Sequence, residues 1–178
     1  GKTAWLRQSA ELLRELGFHV IYVDPLNKYF EAYTDVKEVV DKLAEAAAEV
    51  FGTAKVKLAS LAIDLAKLLI ERQRRKIAVL VDDAFQAIGL GEAATYVKAL
   101  LNLIEYPPQS VDAIVAIAAT SEGITRREIG RHYWADIMPI WNMPREGFKQ
   151  LYEQIPGNKP PFEEVWRATG GNPRLLEE

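Results

Sequence analysis

The chain has 178 residues, 49% of them hydrophobic and 26% charged, and a formal net charge of −3. A chain of this length buries roughly 70% of its unfolded surface without a covalent staple, and its charge creates no global field that would draw it onto nucleic acid. The absence of cysteine excludes disulfides, thiolate catalysis and cysteine-based zinc sites, and His19 and His132 lie too far apart for a metal-ligand spacing.

Residues 4–16 predict a helix, with Leu6, Ala10, Leu13 and Leu16 on one face and Arg7, Glu11, Arg14 and Glu15 mostly on the other. Gly17 suits its C-terminal cap. "FHVIYVD" (18–24) is a short apolar run of the kind that forms a strand covered on both faces, and Pro25 ends it. Tyr29, Phe30 and Tyr33 in "PLNKYFEAY" recur at helical spacing and suit packing against a sheet edge or stacking on a base. Helical patterns follow at 35–50 and at about 55–75, the second closing on the basic "ERQRRK", where the helix dipole favours positive charge.

"IAVLVDD" (77–83) reads as a second buried strand, and it ends in two acids. A helix at 92–105 stops at "YPP", and "VDAIVAIAATSEG" (111–123) contains a third strand. "ADIMPIWNM" (135–143) fits a fourth strand, and only helical segments follow, at about 144–154 and 161–169, before "TGGNPRLLEE". Helices alternating with strands that are apolar on both faces predict an α/β fold with a parallel sheet. The change in pattern near Met143 predicts two regions, an α/β core over 1–143 and the start of a helical lid over 144–178. No apolar run reaches the roughly 18 residues of a membrane span, and no signal-peptide pattern opens the chain. A cytoplasmic protein without a membrane partner is therefore expected.

Four stretches carry possible chemistry. Gly1, Lys2 and Thr3 stand immediately before a helix. In a phosphate-binding loop such a Gly lets backbone N–H groups approach the phosphates, the Lys reaches the β- and γ-oxygens, and the hydroxyl ligates Mg²⁺. Asp82 and Asp83 close a buried strand, where one acid holds Mg²⁺ and the next orients or deprotonates water. They also read as two acids at a strand end, one of them capping the next helix. Ser121, with Thr120 as the next candidate, sits where a polar tip could meet a γ-phosphate or that water, and equally where a helix cap is needed. In "GGNPR", Gly170, Gly171 and Pro173 shape a turn, and Arg174 either reaches back to phosphate or is solvated.

The order of these parts resembles the AAA+/STAND branch of P-loop ATPases, and more closely the archaeal ATPase family related to initiator-type ATPases. The resemblance covers nearly the whole chain, and "GGNPRLL" is its most distinctive part. It implies a parallel-sheet P-loop core, ATP and Mg²⁺ as ligands, and Mg-dependent hydrolysis that drives a conformational switch. In that likeness "GKT" ends Walker A, "IAVLVDD" is Walker B, Ser121 stands at sensor 1 and Arg174 at sensor 2. Gly1, Lys2 and Thr3 then bind nucleotide, Thr3 and Asp82 hold the metal, and Asp83, Ser121 and Arg174 serve catalysis. Two features depart from the family pattern: the upstream glycines are absent, and Asp83 stands where many AAA+ members carry Glu. The shorter acid implies slow hydrolysis. A non-hydrolysing nucleotide-gated scaffold and a DNA-associated initiator or repair ATPase are the alternatives, the second relying on Arg72, Arg74 and Arg75.

The resemblance also places a strand ahead of the phosphate loop, central in the sheet between the sensor-1 strand and the last strand. An empty slot there leaves buried backbone groups unpaired at about 1–3 kcal/mol each, which soon exceeds the ~5–15 kcal/mol stability of a domain. The expectation is a natural protein that starts earlier by roughly 15 or more residues, enough for a strand and a glycine-rich loop, and that continues past Arg174. Arg126, Arg127 or Arg131 could serve a neighbour's γ-phosphate in a homo-oligomer, or balance Glu122 and Glu128 in a solvated loop.

Overall fold

A computed structural model describes residues 1–50, 52, 54–121 and 135–176. They divide into two compact units, 2–137 and a second made of 138–178 with Gly1.

In the first unit, three apolar runs form the strands β1 (His19–Asp24), β3 (Lys76–Val81) and β4 (Ala113–Ala118). Together with β2 (Tyr29–Tyr33) they make one sheet of order β2-β1-β3-β4. β1 and β3 are parallel with Tyr22 opposite Leu80, and β3 and β4 are parallel with Leu80 opposite Ile117. The parallel expectation fails at β2, which runs antiparallel to β1 with Asp24 opposite Tyr29. The helical spacing of Tyr29, Phe30 and Tyr33 is overruled by the turn before it. Asp24 accepts hydrogen bonds from both the backbone N–H and the side-chain amide of Asn27, at 3.2 and 2.7 Å, and Lys28 takes a left-handed φ of 52°. The chain therefore doubles back and extends beside β1.

The two faces of the sheet carry different helices. α1 (Lys2–Glu15) lies over one face, where Leu6 and Ala10 meet Val20, Tyr22, Ala78 and Leu80. The other face supplies Ile21, Val23, Ile77, Val79 and Val81 to a larger cluster under α2 (Lys37–Ala48), α3 (Ala54–Glu71) and α5 (Leu90–Glu105). A five-residue helix, α4 (Ala84–Ile88), joins β3 to α5. The alternation of side chains along a strand sorts these residues between the faces.

β1 and β3 are buried almost throughout, whereas every residue of β4 is only half buried. β4 pairs with β3 alone among the described strands. The fourth parallel strand expected over 135–143 is not formed, since residues 135–144 carry no regular structure. An apolar run becomes a strand only with a hydrogen-bonded neighbour, and Pro139 removes one donor from this one. Among the described residues no helix is long and apolar enough to cross a membrane.

The second unit holds α6 (Arg145–Gln154), α7 (Phe162–Thr169) and a 3₁₀ turn at Pro173–Leu176. Its centre is aromatic: Phe148, fully buried, meets Trp166 edge to face at 5.5 Å, and Phe162 lies against Tyr152 at the same distance. α7 ends on Gly170 and Gly171, both with positive φ. At Gly171 a Cβ atom would stand 2.5 Å from the Met143 carbonyl oxygen and 2.9 Å from the Trp166 ring, so only glycine fits the turn.

Candidate functional site

The site grows from the end of β3. Val81 belongs to the larger cluster, so the alternation sends the next side chain, Asp82, to the α1 face beside Leu80 and Tyr22. The Asp82 N–H donates to the Val23 carbonyl at 2.9 Å, which carries the β1–β3 ladder one residue further and fixes that direction. Asp82 is 1% exposed. Its Oδ1 accepts the Asp83 N–H at 3.1 Å, and its Oδ2 accepts the Tyr22 hydroxyl at 3.4 Å. Thr3, in the first turn of α1, lies near the same carboxylate. Burial pushes the Asp82 carboxyl above the usual range. Thr3 and the Asp83 N–H oppose that shift, and the charges of Asp83 and Asp24 add to it.

Asp83 takes left-handed backbone angles, φ 42° and ψ 38°, and occupies the N-cap position of α4. Its side chain makes no capping hydrogen bond there. Instead Asp83 Oδ1 accepts the Ser121 hydroxyl at 3.1 Å. The Ala119 N–H donates to the Val81 carbonyl at 2.9 Å, so β3 and β4 leave the sheet side by side and their tips meet.

The geometry thus brings Thr3, Asp82, Asp83 and Ser121 together from three parts of the sequence. Lys2 precedes Thr3 as the first residue of α1, and Thr120 precedes Ser121 at the same strand tip. Gly1 and Arg174 belong to the other unit. There Arg174 is exposed in the 3₁₀ turn, and its backbone N–H donates to Asn172 Oδ1 at 3.1 Å. Arg126, Arg127, Arg131 and His132 lie outside the described residues. The basic tail of α3 is engaged with carboxylates: Arg72 with Glu38 at 2.8 Å, Arg74 with Asp35 at 2.9 Å and Arg75 with Asp112 at 2.8 Å.

The sequence reading did not single out Tyr22, Arg7 or Asp24. Strand parity was the available signal, because Tyr22 and Asp82 both fall on the α1 face. Asp24, Asp82 and Asp83 form no ion pair with any described residue, and among those residues no three His, Cys, Asp or Glu side chains converge as a metal cage. Concentrated negative charge with one hydroxyl beside it suits a hard cation that keeps its other ligands from water and phosphate.

A family model described as an ATPase domain predominantly from Archaea matches residues 1–178. The chain belongs to this family. Membership makes ATP binding and hydrolysis the class of activity of this ATPase domain. No curated protein and no solved structure matches the chain.

Proposed function

We propose that this ATPase domain binds ATP with Mg²⁺ and hydrolyses it as a nucleotide-controlled switch of the AAA+/STAND type. The observation that carries the reading is the buried Asp82 carboxylate at the end of β3, with Asp83 beside it accepting the Ser121 hydroxyl at 3.1 Å. Thr3, in the first turn of the 14-residue helix α1, lies near the Asp82 carboxylate. Those are the hydroxyl and carboxylate that a P-loop ATPase sets on its metal. The residues present fit Mg²⁺: both donors are oxygens, and Asp82 stands among like charges that no described cation offsets.

Each remaining group has a task that follows from its chemistry. Lys2 and the free N–H groups of the first turn of α1 hold the phosphates, aided by the positive end of the helix. Thr3 and Asp82 hold the metal, which when bound neutralises phosphate charge. Asp83 orients the attacking water and takes its proton. The Ser121 hydroxyl fixes the Asp83 carboxylate by donating to one oxygen and leaving the other for water. Arg174, on the helical lid that begins at residue 144, links nucleotide state to the switch.

Replacing Lys2 by Ala is expected to weaken ATP binding at least about tenfold, the equivalent of 1.4 kcal/mol. Titration with a fluorescent ATP analogue reads this directly, with the melting temperature as the control for folding. A folded Lys2→Ala protein that binds ATP as the parent does ends the proposal.

A further inference from the structure

Tyr22 is fully buried, with Arg7 against its ring and Asp82 at its hydroxyl. The Arg7 guanidinium carbon lies 5.8 Å from the centre of the Tyr22 ring and 4.6 Å from that of Tyr29. The hydroxyl reaches Asp82 Oδ2 at 3.4 Å. A carboxylate only accepts, so the phenol proton points at Asp82. Thr3 and Arg7 stand four residues apart on α1, hence on one face of that helix. One helix thus sets Thr3 near Asp82 and Arg7 against the ring of Tyr22.

We infer that Tyr22 is a positioning residue of the metal site: with Arg7 against its ring, its hydroxyl holds Oδ2 of Asp82 so that the carboxylate keeps one orientation for the metal. The inference rests on the metal role proposed for Asp82. Tyr22 touches neither nucleotide nor metal. Its effect is to remove the rotational freedom of Asp82, which the Asp83 N–H on Oδ1 limits from the other side. Without the hydroxyl, Mg²⁺ itself must order the acid, and more metal is needed to do so.

The test is the Mg²⁺ concentration that half-saturates binding of a fluorescent ATP analogue, measured on the full chain, with nucleotide affinity in EDTA as the reference. Tyr22→Phe keeps the ring and its stacking and removes only the hydroxyl. It is expected to raise the half-saturating Mg²⁺ three- to tenfold and to leave affinity in EDTA unchanged. Arg7→Met, on the exposed side of α1, is expected to shift Mg²⁺ in the same direction by less. The double variant should match Tyr22→Phe, because Arg7, packed against the Tyr22 ring, acts by placing that hydroxyl. Asp82→Asn separates the two levels of the reading. If Asp82→Asn leaves the Mg²⁺ requirement unchanged, the metal role is wrong and the inference falls with it. If Asp82→Asn shifts it and Tyr22→Phe and Arg7→Met do not, the inference alone is overturned. Additive shifts in the double variant also overturn it, since they make Arg7 independent of Tyr22.

Discussion

The two faces of the sheet solve different problems. Under α2, α3 and α5 the core is apolar except for the Tyr96 hydroxyl, which donates to the Ala59 carbonyl at 2.8 Å, and Leu58, Leu65, Leu69, Ile77 and Phe85 are fully buried. Under α1 the buried set is smaller and is interrupted by polar groups, the Tyr22 hydroxyl and the Asp82 carboxylate. The same three strands line both faces, so the difference comes from which residues the alternation sends to each side. One face holds the fold together and the other carries the polar groups of the proposed site. A carboxylate kept buried above its usual range is a cost to folding that the apolar face offsets.

The division breaks if either face does the other's work. The largest expected effect is on the polar side. Asp83→Asn keeps a residue that tolerates left-handed backbone and still accepts the Ser121 hydroxyl, but it cannot take a proton. Single-turnover ATP hydrolysis should fall about 10²–10⁴-fold, with ATP affinity and melting temperature held. Next comes the apolar side: Leu58→Ala in α3 should cost about 2–5 kcal/mol in urea unfolding, while the folded fraction binds ATP as before. A Leu58→Ala protein of full stability with lost ATP binding would reverse the assignment of the faces.

The smallest effect sharpens the boundary between them, at the far end of β1. His19 is half buried; its Nδ1 lies 2.9 Å from Thr34 Oγ1 and 3.6 Å from Asp35, with Arg74 also near. Burial lowers its pKa from the ordinary 6.5, Asp35 opposes that shift and Arg74 adds to it. The folded state therefore binds the proton less well than the unfolded chain. Its stability is whole above about pH 6.5 and is lost as pH falls through the lowered value. Equilibrium unfolding between about pH 7 and 5 should show this slope, and His19→Gln should flatten it.

Much of this was legible in the sequence, for identifiable reasons. β1, β3 and β4 are continuous apolar runs, which only a covered sheet accommodates, and the helices show one-sided periodicity. Asp82, Asp83, Thr3 and Ser121 could be chosen because each stands at the end of such an element. β2 was not legible, because three aromatics at spacings of one, three and four fit a helix as well as a strand, and the turn at Asn27 and Lys28 decided between them. The run over 135–143 misled in the opposite sense: apolar composition marks what a strand needs, and a paired neighbour is not written in it. Tyr22 escaped notice because an aromatic inside an apolar strand reads as packing. Its hydroxyl gains meaning only when register sets it beside Asp82.

The backbone of Asp83, at φ 42° and ψ 38°, restricts how this ATPase domain could be improved or could drift. Aspartate and asparagine enter that left-handed region readily, whereas a longer side chain meets a penalty of about 1–2 kcal/mol. Installing glutamate, the substitution that a faster hydrolase invites, would thus strain the turn between β3 and α4 at the moment it extended the acid's reach. A variant library for higher turnover should mutate Asp83 and Ala84 together, so that the bend can relax while the carboxylate lengthens.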